Sequence, residues 1–237
     1  CGVIDPLDDI ADICEKYNLW FHVDGAYGGL FCLLEEEKSK FKGIERADSV
    51  VVDPHKSLFL PYGLGIAIVK NVTHLLQSQF YEADYMQDAI ENRNELSPAE
   101  LSPELTKHFR GLRMWLPLQV HGLKPFKAAL REKILLTSYF RQELATIPHM
   151  RIINEPELTI FAYRYENKSL SKHDNNHINK RLIEELHKEG KVFLSSTIID
   201  DQICLRIAIL SFRTHIYEIE LVLSQIKTKL GTITLAH

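Results

Sequence analysis

The sequence predicts an α/β chain: part of a large parallel or mixed sheet covered by helices, followed by a small C-terminal α/β domain. Two observations carry this expectation. In the first half, short apolar strands, none cleanly amphipathic, alternate with helical segments, as in a sheet buried on both faces. After a joint marked by Gly122 and Pro125, a second set of helices and strands begins, which divides the chain into 1–122 and 123–237. A chain of 237 residues, 45% hydrophobic and 25% charged, has enough apolar side chains for both cores.

The elements follow in order. The opening CGVIDP carries no initiator Met and reads as the entry to a helix, with further chain expected upstream. Asp5 is the expected N-cap and Pro6 the first helical residue. Leu7, Ile10, Ala11 and Cys14 then fall at helical spacing, which predicts a helix over 6–18. Residues 19–24 and the Val-rich 49–53 are expected as buried strands, with a third at 65–69 and a solvated, charged helix over 35–46 between the first two. The polar stretch 83–104, with two Ser-Pro steps, reads as a long loop of the functional kind. Helical character resumes over 105–120. Beyond the joint, Phe126, Leu130, Ile134, Phe140 and Leu144 share one side of a long helix, with Thr137 as its polar exception. Strands are expected at 151–153, 159–165, 192–196 and 203–209. A helix at 175–188 (Ile178, Leu182, Leu186) and a last helix after Thr214 (Ile219, Val222, Ile226, Leu230) complete the small domain.

Charge and cysteine usage narrow the function classes. A net charge of −4 gives no electrostatic case for nucleic acid or an anionic membrane. The four cysteines (Cys1, Cys14, Cys32, Cys204) show no CxxC pair or zinc spacing, which points to a reducing cytoplasm. No apolar run approaches ~20 residues and no leader opens the chain, so neither a membrane span nor an export signal is expected.

The chemistry gathers at two strand ends. The first strand ends on Asp24 and the second on Asp53-Pro54-His55-Lys56. Ligands of α/β sheets sit outside the carboxyl ends of strands, so a carboxylate, an imidazole and an amine are expected to face one cleft. Lys56 is flanked by apolar residues, and a desolvated lysine is the kind that becomes a nucleophile for Schiff-base chemistry. A buried Asp24 needs a cationic or hydrogen-bonding partner. A pyridine nitrogen would be one, held protonated as an electron sink. Ala26 is small enough to lie against a ring. The same residues admit another class: His22, Asp24, Asp53 and His55 could ligate a divalent metal in a hydrolase.

With HVDGAYGG, DPHKSLFLPYGLG, HFRGLRMW and CLRIAILSFRT in that order, the chain resembles the group II pyridoxal-phosphate amino acid decarboxylases over essentially its whole length. That family includes aromatic-amino-acid, histidine and glutamate decarboxylases. The resemblance implies a partial fold-type I large domain and a homodimer. The activity it implies is decarboxylation of an L-amino acid to an amine and carbon dioxide with pyridoxal 5'-phosphate. It implies that Lys56 holds the cofactor, Asp24 pairs with the ring nitrogen, Ala26 packs on a ring face and His55 lies near the phosphate. Asp53 stands where some members place a phosphate-facing Asn. Arg206 matches an arginine used for the substrate carboxylate, and Arg110 is placed to brace the site. The family's subunit is roughly twice as long. Its N-terminal half, source of the phosphate cradle and of a ring-stacking histidine, is expected as a covalent or separate partner. The family's loop tyrosine, a proton donor, aligns near Pro98, with Tyr81 and Tyr85 earlier in the segment. A non-catalytic module kept for dimerisation or regulation is the alternative from a different class.

Overall fold

The computed structural model describes residues 1–79 and 96–235. The chain folds as two compact units, Pro6–Leu123 and Lys124–His237, the latter joined by Cys1–Asp5. The N-terminal segment is tied there by Asn154, whose Nδ2 donates to the Cys1 carbonyl at 2.9 Å.

In the unit Pro6–Leu123, helix α1 (Leu7–Tyr17) lays Leu7 and Ala11 against Phe21, Val23 and Ala47. Its N-cap is Pro6, with no side-chain cap bond, so Asp5 does not cap it. Strands β1 (His22–Asp24) and β2 (Ser49–Val52) are parallel, with Asp24 opposite Val51, and β3 (Ile66–Val69) is antiparallel to β2. The sheet is therefore mixed, in the order β1-β2-β3.

The expected helix over 35–46 is instead two 3-10 segments, Glu35–Phe41 and Ile44–Arg46. Phe31, Leu34 and Phe41 anchor this connection in the interior. Lys38–Glu35 and Lys40–Glu37 pair at i,i+3, the spacing that a 3-10 turn aligns. Gly43, the N-cap of the second segment at φ +95, has its α-carbon so close to α1 that a Cβ would stand 2.5 Å from the Asp8 nitrogen. Arg46, closing the second segment, then clamps α1, meeting Asp8 at 2.8 Å, Asp12 at 2.7 Å and Glu15 at 3.0 Å.

Short helices α2 (Pro54–Ser57) and α3 (Val72–Gln79) follow β2 and β3, and α4 spans Leu112–His121. The expected strands are only half buried. Phe21 and Val23, two positions apart, point inward, whereas Leu19 and Trp20, which precede β1, and Ile68 of β3 are exposed.

In the second unit, strands β4 (Met150–Ile152), β5 (Ile160–Tyr165), β6 (Ser195–Ile199) and β7 (Gln202–Ala208) form an antiparallel sheet ordered β4-β5-β7-β6. Helices α5 (Lys124–Ala145), α6 (Lys172–Glu189) and α7 (Ile216–Leu235) supply Phe140, Leu144, Ile178, Leu182, Leu186, Ile219 and Ile226 to its core. Thr137, the polar exception in the stripe, is buried and donates to the Lys133 carbonyl at 2.8 Å. The strand expected at 192–196 begins only at Ser195. Among the described residues no helix is long and apolar enough to cross a membrane.

Candidate active site

Because β1 and β2 are parallel, Asp24 and Asp53 emerge at the same edge of the sheet. Asp24 is exposed, which corrects the expectation of a buried carboxylate. The β1 burial pattern gives the reason: Val23 takes the inward position, so His22 and Asp24 point outward. The Asp24 Oδ1 accepts the Ala26 N–H at 3.0 Å, folding the chain back over the strand end. Among the described residues its other oxygen has no partner. Ala26 is half-buried beside it. Gly25 and Gly29 lie close under the turn, where a Cβ on Gly25 would meet the Val51 carbonyl at 2.9 Å.

The second strand end is a compact ionic cluster. Asp53 Oδ2 lies 2.7 Å from Lys56 Nζ and 3.9 Å from His55 Nε2. The His55 Nδ1–H donates to the Leu64 carbonyl at 2.6 Å, and its ring meets the Tyr62 ring edge-on at 5.3 Å. Leu58, Leu60 and Leu64 are buried, which pins the loop after α2. The Lys56 side chain keeps 42% of its exposure. The desolvated lysine expected from its apolar flanks is therefore not found: one turn of helix buries Pro54 and Ser57 and swings Lys56 outward.

Other sequence-derived candidates have partners of their own. Arg206, in the second unit, donates from Nη1 to the Ser195 hydroxyl at 3.4 Å and meets no carboxylate among the described residues. Arg110 forks onto Glu104 at 2.9 and 3.2 Å. Those bonds raise its guanidinium and hold the Glu104 carboxyl below its ordinary value. His22 Nδ1 is 2.8 Å from the Ser49 hydroxyl, which also accepts the Trp20 indole N–H. Among the described residues no three His, Cys, Asp or Glu side chains gather as a metal site, so the metal quartet His22, Asp24, Asp53 and His55 does not assemble.

Pro98 opens a 3-10 turn, Pro98–Leu101, under a capping box made by Ser97 and Glu100. Tyr81 and Tyr85 lie outside the described residues, as does most of the expected loop. Two participants escaped sequence reasoning: the Leu64 carbonyl that orients His55, and Gly65, where a Cβ would come within 3.0 Å of Asp53 Oδ1. The only signal for them was the small residues of Tyr-Gly-Leu-Gly directly after the apolar loop.

Comparison with known proteins gives this geometry its context. Aromatic-L-amino-acid decarboxylase of Bacillus atrophaeus is 30% identical over 239 residues, covering 100% of this chain and 50% of that protein. The structure of Catharanthus roseus tryptophan decarboxylase in complex with L-tryptophan superposes with a TM-score of 0.85 at 25% identity, covering 97% of this chain and 48% of that one. Oryza sativa TDC with PLP and tryptamine has the same fold, with a TM-score of 0.92 at 21% identity over 98% of this chain and 48% of that chain. The chain thus spans about half the length of the relatives it matches. The pyridoxal-dependent decarboxylase conserved domain matches residues 1–166, so this chain belongs to the pyridoxal-dependent decarboxylase family.

Proposed function

We propose that this chain carries the cofactor lysine and the C-terminal portion of an enzyme that removes the α-carboxylate of an L-amino acid as carbon dioxide, leaving an amine. The observation that carries the reading is the placing of the Lys56 amine, the Asp24 carboxylate and the His55 imidazole at the shared edge of two parallel strands. This donor set fits pyridoxal 5'-phosphate. Lys56 is the amine for its aldehyde, the unpartnered oxygen of Asp24 is available to the ring nitrogen, and Ala26 offers a flat, small surface. When bound, the cofactor supplies the electron sink for the pair released with carbon dioxide. Asp24 would keep the ring nitrogen protonated, as a carboxylate does for a cation in contact. His55 would stand by the phosphate, its ring fixed by Leu64.

Arg206, which meets no carboxylate among the described residues, would take the substrate carboxylate. A homodimer in the cytoplasm, with the phosphate cradle supplied by sequence outside this chain, completes the reading. The half-length match to the relatives supports only the cradle outside this chain. The test is borohydride reduction of the full-length protein after incubation with pyridoxal 5'-phosphate. A cofactor label on Lys56, absent in Lys56→Ala with an unchanged circular dichroism spectrum, is expected, together with carbon dioxide release from one of a panel of L-amino acids. Label at Lys56 without carbon dioxide release from any amino acid would leave a binding or regulatory module. No label at Lys56 would sink the reading.

A further inference from the structure

Asp53 occupies the N-cap position of α2, where an aspartate ordinarily accepts a backbone N–H from the first turn. It makes no such bond. Its Oδ2 is turned instead onto Lys56 Nζ at 2.7 Å and faces His55 Nε2 at 3.9 Å. Gly65 backs the other oxygen, since a Cβ there would stand 3.0 Å from Oδ1. Ion pairs between fully exposed side chains contribute little, but this carboxylate is 21% exposed and confined on three sides. A cap bond given up in favour of the amine is not the arrangement of an incidental surface pair.

We propose that Asp53 is a positioning residue for Lys56: it parks the ammonium at the carboxyl end of β2, and an incoming aldehyde must break that ion pair to reach the amine. The inference rests on reading Lys56 as the cofactor lysine. In the coupling, Nζ gives one proton to solvent and its lone pair forms the bond to the aldehyde carbon. The carbonyl oxygen then departs as water with the second Nζ proton and one from solvent. Asp53 opposes the coupling by position: Nζ must leave Oδ2, 2.7 Å away, before its lone pair can face the aldehyde carbon.

The experiment uses cofactor-stripped full-length protein mixed with pyridoxal 5'-phosphate or, separately, with pyridoxal. Borohydride quenching at intervals and peptide mass spectrometry then follow the label at Lys56, with exposed Lys70 as internal control. Asp53→Asn should speed labelling of Lys56 about three- to tenfold with both aldehydes and leave Lys70 unchanged. If that variant fails to fold, Asp53→Ser carries the same expectation. An unchanged or slower rate at Lys56 overturns the proposal. So does acceleration with pyridoxal 5'-phosphate alone, which would mean that Asp53 acts on the phosphate. Absence of label on Lys56 in wild type and variant alike would instead remove the cofactor-lysine reading beneath it.

Discussion

The side-chain amide of Asn179 holds the backbone of Tyr165 from both sides: its Oδ1 accepts the Tyr165 N–H and its Nδ2 donates to the Tyr165 carbonyl, each at 2.8 Å. β5 and β7 pair only as far as Tyr163 opposite Leu205, so beyond that point this edge of β5 has no strand partner among the described residues. Asn179, fully buried on α6, stands in for one, and its Nδ2 also reaches the Asn175 carbonyl at 2.7 Å. Asn179→Leu leaves two buried backbone groups unpaired and should cost about 2–4 kcal/mol. The urea midpoint should fall with the m-value unchanged. A variant within about 0.5 kcal/mol of wild type would show that the strand end finds other partners.

Lys133 is the second buried polar anchor. Its ammonium, without solvent exposure, meets Glu132 at 2.9 Å and the Thr214 carbonyl at 2.6 Å, joining α5 to the start of α7. Glu132 also bonds His215 Nδ1 at 2.6 Å. Burial pushes the Glu132 carboxyl up, but the hydrogen bonds from His215 and Lys133 outweigh it and hold the group below its ordinary value. A depressed carboxylate stabilises the fold above its unfolded value and loses that contribution as pH falls through the folded one. Lys133→Ala should therefore cost about 2–3 kcal/mol at neutral pH, with a smaller deficit in acid. Equal deficits at pH 7 and pH 3 in chemical denaturation would contradict this account.

These two anchors show where the sequence was legible and where it was not. The stripe Ile178, Leu182, Leu186 identified α6, because apolar periodicity records which face is buried. It was silent about Asn175 and Asn179 on the same face, since a polar residue in a stripe looks like an interruption until its partner is known. The candidate site divides in the same way. Apolar runs ending in Asp24 and Asp53 marked two strand ends correctly. The apolar neighbours of Lys56 did not make it buried, because Leu58, Leu60 and Leu64 turn inward while the single turn of α2 turns Lys56 out. Composition reports the environment of a segment; the phase of one helical turn decides which residue shares it. The Asp53–Lys56 pair depends on that phase, and the Leu64 carbonyl also on the loop that returns it to His55 from nine positions along the chain.

His55 offers a test of the site that needs no cofactor. A carbonyl can only accept, so the bond to Leu64 requires the proton on Nδ1 and leaves Nε2 as the atom facing Asp53. Nitrogen-15 NMR of the neutral ring should accordingly show a pyrrole-type Nδ1 and a pyridine-type Nε2. The opposite tautomer would mean that the His55–Leu64 bond does not form in solution. His55→Asn keeps a donor but shortens the reach, and should loosen the loop around Leu64, read as faster amide exchange at Leu64 and Gly65.

Glu189, at the end of α6, predicts a separate acid response. Lys191 at 2.6 Å and Lys229 of α7 at 2.8 Å donate to its two oxygens and together hold its carboxyl down to about 2, against an ordinary 4.5. The sign follows from the depression: the pair's contribution is complete above the ordinary value, and it is lost as pH falls from about 4.5 to about 2. Glu189→Gln removes the charge at every pH, so its melting temperature should lie below wild type at pH 6 and converge with it near pH 2. The pairs are partly exposed, so salt should shrink the gap at pH 6 in part, as screening does for charges that solvent reaches. A gap that persists unchanged at pH 2 would assign the Gln effect to packing at the α6–α7 contact instead of to charge.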